Sequence, residues 1–202
     1  MRNEKVKKMV AIAFLMALVV VMQFVGGIIP PVGGFSISLV LIPIVLGAAM
    51  YGPAVGALLG ATFGVIVFIN CVTGSDVGGA MVFQANPILC FLVVMGKGIL
   101  AGLSAGFVYK LLKNKNGYVA MLLASVVCPV VNTGIFITCL VTMFGGVLDG
   151  WYQFWLSEGN TGTVMSYILA GIVLVNFVPE LLLNVVVSPA SQRVLRVVKN
   201  KI

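Results

Sequence analysis

Histidine is absent from this 202-residue chain, and charged residues make up only 8% of it, five of them acidic. Without imidazole, histidine-based acid–base chemistry is excluded and the commonest zinc ligand is missing. The four cysteines, Cys71, Cys90, Cys128 and Cys139, do not compensate, because they show no C-x-x-C spacing. They read as small apolar packing residues, and neither a metal nor a cofactor is expected. Nucleophile-elbow, Walker A and H-E-x-x-H patterns are also missing, so the chain is not expected to be an enzyme. The scarcity of charge excludes an ordinary soluble domain, in which about 25% of residues are charged.

What the chain has instead is apolar residues, at 61%, and a mean hydropathy of +1.18. A spanning helix needs about 20 mainly apolar residues, which leaves room for six spans and no separate soluble domain. The expected fold is an all-α integral membrane protein: a six-transmembrane-helix bundle forming one domain over 1–202. Its spans are read at 9–28, 37–50, 53–69, 87–112, 118–144 and 163–192. The first run has a basic flank like that of a signal peptide, but no A-x-A-like site follows, so it is read as a retained helix.

Eleven of the twelve basic residues fall into three clusters, around Lys5–Lys8, Lys110–Lys115 and Arg193–Lys201. By the positive-inside rule these clusters are cytoplasmic. Both termini are then cytoplasmic, and the even number of spans between clusters agrees. The net charge of +7 is thus a topology signal and a contact to lipid headgroups, with no nucleic acid expected.

Small residues recur at helical spacing. Gly52, Gly56, Gly60 and Gly64 lie four apart, a ridge without side chains that permits close helix approach in a bilayer. Gly98, Gly102 and Gly106 repeat the spacing in the fourth span, and Ala13 and Ala17 form a shorter version in the first. Pro30, Pro31, Gly33 and Gly34 make 29–36 a non-helical outer loop. Pro43 is expected to interrupt the second span. The stretches 70–86 and 145–162 are read as long outer loops, the second holding Trp151 and Trp155 with Tyr152. Asn86 and Pro87 read as the N-cap and first residue of the fourth span.

Inside the spans remains a small polar set. Lys97 lies thirteen residues before Lys110, and Glu180 thirteen before Arg193. At 1.5 Å per residue both sit about 20 Å from the inner basic belt, within a core of ~30 Å. Asn132 arrives at a similar depth, and Asn176 one turn nearer the outside. Charges at such depth face protein or water rather than lipid. Two readings of this layer stand. In one, Lys97 and Glu180 form an internal ion pair bridged by the asparagines. In the other, the four line an outward-opening pocket, with Lys97 meeting an anionic group. A structural or assembly protein without ligand would need no such layer, and a membrane enzyme would need a second acidic or nucleophilic residue beside Glu180.

With these residues in place, the chain resembles the S component, the substrate-binding membrane subunit of energy-coupling factor (ECF) transporters for vitamins. The resemblance rests on length, topology, Ala13-x-x-x-Ala17, the stretch IPIVLGAAMYGPAVGALLGATFGVI, the Asn86-Pro87 start, and the Asn and Glu of the last span. It implies a prokaryotic plasma membrane, a transmembrane coupling subunit and two ATPase subunits as partners, and a substrate held near the outer leaflet by the fourth to sixth spans. On this sequence it makes Ala13 and Ala17 docking residues and 29–36 a lid. It makes Lys97, Asn132, Asn176 and Glu180 candidate ligand contacts, with Gln84, Asn86, Trp151 and Tyr152 closing over the substrate. Absence of His and of a dense Trp set departs from the thiamine-type members. If Lys97 is unpaired, a small carboxylate such as pantothenate or lipoate fits; if Glu180 neutralises it, a neutral or larger vitamin such as riboflavin or folate fits.

Overall fold

A computed structural model describes residues 2–28 and 39–201, and all regular structure among them is helical. Helix α1 (Arg2–Ile28) is followed by α2 (Leu41–Tyr51), α3 (Pro53–Thr73), α4 (Val77–Ala85), α5 (Pro87–Leu112), α6 (Gly117–Met143) and α7 (Gly145–Ser157). A single turn, α8 (Val164–Tyr167), then runs through a π-helical stretch (Ile168–Phe177) into α9 (Val178–Lys201). The lid expected at 29–36, and the first two residues of the second expected span, lie outside the described residues.

Five described helices are long and apolar enough to cross a membrane: Glu4–Gly27, Pro53–Thr73, Pro87–Leu112, Gly117–Met143 and Val164–Val198. The second expected span is represented by the 11 residues of α2, about 16 Å of helix against a core of ~30 Å. Its burial is nevertheless deep, with Leu41, Ile44, Val45 and Ala48 packed inside the bundle. Pro43 does not interrupt it. The helix begins only two residues earlier, so Pro43 sits in the first turn, where the missing N–H breaks no intrahelical bond.

Both expected outer loops are corrected. The 70–86 stretch contains the end of α3 and the whole of α4, whose start is fixed by the Asp76 carboxylate accepting from the Gly79 N–H at 3.2 Å. In 145–162, α7 forms because Leu148 and Trp151 fall on one face and are buried, while Phe154 stays exposed.

The glycine ridges meet each other. A Cβ at Gly56 would overlap the carbonyl of Gly102, and one at Gly60 that of Gly98; Gly64 faces the Val94 carbonyl, and Gly106 faces Pro53. The descending order makes α3 and α5 antiparallel and brings their backbones into direct contact. Gly52 is not part of this seam. No atom lies within 4 Å of its would-be Cβ, and its φ of 98° makes the tight turn between α2 and α3, a conformation that disfavours any side chain.

Basic residues collect at one end. Lys8 lies over the Tyr51 ring at 5.9 Å and Arg196 over the Tyr118 ring at 4.4 Å. Tyr109 donates to Gln192 at 3.3 Å, and Pro53 abuts Gly106 beside Lys110.

Candidate functional site

At the opposite end, a cavity of about 390 Å³ opens between α1, α3, α4, α5, α6 and the last helix, within the size range of small-molecule sites. Four of the sequence-predicted residues meet in its wall: Lys97, Asn132, Asn176 and Glu180. They come from α5, α6, the π-helical stretch and α9 in turn.

Lys97 leaves α5 one residue before Gly98. Its ammonium lies 4.9 Å from the centre of the Phe136 ring and 5.8 Å from that of Phe63, where the π faces attract a cation by roughly 0.5–2 kcal/mol each. Glu180 is 1% exposed, and its backbone carbonyl accepts from the Asn184 amide at 2.9 Å. Asn132 projects from α6 one turn after Pro129. Asn176 projects from the π-helical stretch. That widened register has a local cause: Pro179 offers no N–H to the Val175 carbonyl and its ring crowds it, and the Val178 N–H reaches back five residues to Val173. Such π segments concentrate at functional sites.

The cavity also has residues that sequence reasoning missed: Gln23 on α1, Asn70 at the end of α3, Asp76 at the α4 cap and Thr133 beside Asn132. A polar residue near the mouth of an apolar run was the available signal for Gln23 and Asn70. Thr133 gave none, since threonine is tolerated anywhere in a spanning helix.

The other predicted contacts lie elsewhere. Gln84 and Asn86 line a separate, more open recess of about 510 Å³ between α4, α5, α6 and α7, and the Asn86 side chain caps α5 by accepting from the Leu89 N–H at 3.0 Å. Trp151 is buried, with its indole N–H directed at the Met81 sulfur at 2.9 Å. Tyr152 donates to the Gly162 carbonyl at 2.6 Å and stacks on Trp155. Trp151 ties α7 to α4, and none of the four residues is in the wall of the Lys97 cavity. Ala13 and Ala17 both lie exposed on α1.

Chemically the wall combines one cation, two carboxylates, several amide and hydroxyl oxygens, and apolar surface from residues such as Val67 and Val93. It contains the elements for holding a small amphiphilic solute by charge and hydrogen bonds. A family model described as "ECF transporter, substrate-specific component" matches residues 7–191. The chain is also similar to the "Pantothenic acid transporter PanT" of Lactococcus lactis subsp. cremoris (strain MG1363), at 24% identity over 201 residues and 94% of each chain.

Proposed function

From the premise that this chain belongs to the substrate-specific component family of ECF transporters, multi-pass prokaryotic plasma-membrane proteins of vitamin uptake, we propose that it binds a small carboxylate of the pantothenate type. The observation that carries the proposal is Lys97, a lysine held between two rings in the wall of a cavity at the end away from the basic clusters. The relative named for pantothenic acid supports the same class. The ligand carboxylate meets the Lys97 ammonium, while Asn132 and Asn176 bond the rest of the molecule. Uptake then relies on a transmembrane coupling subunit, which docks on the Ala13/Ala17 face of α1, and on two ATPase subunits for energy.

Purified protein titrated with pantothenate by calorimetry tests the proposal. A charge-assisted hydrogen bond contributes about 1.5–3 kcal/mol, so Lys97→Ala should weaken binding about 10- to 100-fold. A second reading, a neutral vitamin such as riboflavin, rests on Asp76 and Glu180 sharing the wall with Lys97. It predicts unchanged affinity in Lys97→Ala, and that result would sink the carboxylate assignment. Mass spectrometry of small molecules that co-purify with the native protein separates the two readings independently.

A further inference from the structure

The cavity wall holds acceptors that the described residues leave unmet. Among the described residues four buried oxygens there have no hydrogen-bond partner: Gln23 Oε1 on α1, Asn132 Oδ1 and Thr133 Oγ1 on α6, and Asn176 Oδ1 in the π-helical stretch. Asn132 and Thr133 are only 6% and 5% exposed. A buried polar group without a partner costs roughly 1–3 kcal/mol, and native structures rarely leave several together without a reason. Three of the four are amide oxygens, which only accept. An ionised carboxylate also only accepts, so it satisfies none of them. The site is therefore two-ended: Lys97 takes the anion, and the amide oxygens call for O–H or N–H groups.

One of these acceptors sits on a helix that the bundle holds weakly. Of the described α1 side chains only those at Leu15 and Val19 are buried, with Gly26 beside the cavity end, whereas α5 buries a residue on nearly every turn. The cavity end of α1 supplies Gln23, Phe24 and Gly27 to the wall. Six and ten residues earlier, the same helix exposes Ala17 and Ala13.

We propose that Gln23 is a specificity-determining residue that accepts a hydrogen bond from a hydroxyl of the substrate, and that the bound substrate thereby fastens α1 to the bundle. The inference rests on the carboxylate reading above and narrows it. The substrate class is a small carboxylate with hydrogen-bond donors along its other end. Pantothenate, with two hydroxyls and an amide N–H, belongs to it; lipoate, which has no donor once ionised, does not. Because α1 carries both Gln23 and the exposed Ala13/Ala17 face, an occupied cavity orders the helix on which a coupling subunit would dock.

The test uses the full chain in detergent with three probes: pantothenate, its analogue with both hydroxyls replaced by hydrogen, and lipoate. Wild type should bind pantothenate at least tenfold tighter than either of the others. Gln23→Leu should weaken pantothenate binding about tenfold, the equivalent of one hydrogen bond of about 1.4 kcal/mol, and leave the analogue unchanged. Hydrogen exchange adds a readout that a merely structural residue would not move: pantothenate should slow exchange along α1 in wild type and not in the variant. If Gln23→Leu fails to fold, Gln23→Met and the three wild-type affinities still decide. Equal binding of all three probes by wild type, or equal loss on both pantothenate and its analogue in the variant, overturns the inference while leaving a carboxylate-binding function standing. Wild type binding none of the three overturns that function and the inference with it.

Discussion

Gly60→Ala isolates the seam between α3 and α5, because both helices present backbone at that point. A methyl group at Gly60 would overlap the Gly98 carbonyl, and one at Gly98 would overlap that of Gly60. Neither obstacle is a side chain that rotates away, so the substitution forces α3 and α5 apart along a contact running from Pro53 and Gly106 to Gly64 and Val94. Overpacking costs roughly 1–3 kcal/mol, and a backbone obstacle in two matched ridges belongs at the upper end. Alanine returns up to about 1 kcal/mol through helix propensity. The expected net loss is about 2 kcal/mol, which lowers the melting temperature by about 4–8 °C in a chain of this size. Gly134→Ala is the control: on α6 the same methyl group meets no atom within 4 Å, so only the propensity term remains and the melting temperature should hold or rise. Thermal unfolding of detergent-solubilised protein, followed by size-exclusion chromatography, measures both. If Gly60→Ala proved as stable as Gly134→Ala, the direct backbone contact inferred for this seam would be refuted.

Two further outcomes follow from the site. Pro179→Ala restores the donor that an α-helical register needs opposite Val175, so the π-helical stretch should shorten and turn Asn176 by about 100° away from the cavity. Calorimetry should then read a pantothenate affinity about tenfold weaker with folding retained; unchanged affinity would separate the π register from the site. Ala13→Trp with Ala17→Trp changes only exposed positions, so ligand affinity should hold while co-purification of the ATPase subunits is lost, and intact association would move docking off this face.

The parts of the fold legible in the sequence are those with a strong period or a high energetic cost. The glycines at four-residue spacing marked the α3–α5 seam because a bare ridge has little other use in a bilayer. Lys97, Asn132, Asn176 and Glu180 stood out because polar groups at that depth need protein partners. Gly52 was misread: in sequence, a glycine needed for a positive φ looks the same as one needed for close packing. Helices α4 and α7 were missed because VGGAMVFQA and GGVLDGWYQFWLS are rich in glycine and too short to span. Their helicity comes from an Asp76 cap and from burial of Leu148 and Trp151, which become visible only once the bundle exists. Gln84, Asn86, Trp151 and Tyr152 were placed over the cavity on the strength of outer-loop location, whereas Gln84 and Asn86 line a separate recess and the polar atoms of Asn86, Trp151 and Tyr152 are engaged in a helix cap, a helix-to-helix contact and a loop contact.

The seam and the site are mechanically one construction. Gly98 must face α3 for the ridges to close, and successive residues on a helix are about 100° apart, so this requirement alone turns Lys97 off the contact line. It then enters the gap where Phe63 of α3 and Phe136 of α6 meet its ammonium. Inserting a lysine at this depth costs roughly 2.5–3.5 kcal/mol, which two cation–π contacts of roughly 0.5–2 kcal/mol each are of the right size to offset. Holding a side chain in place before a ligand arrives removes a cost that binding would otherwise carry, and in the proposed site that placement originates in seam glycines that line no part of the cavity.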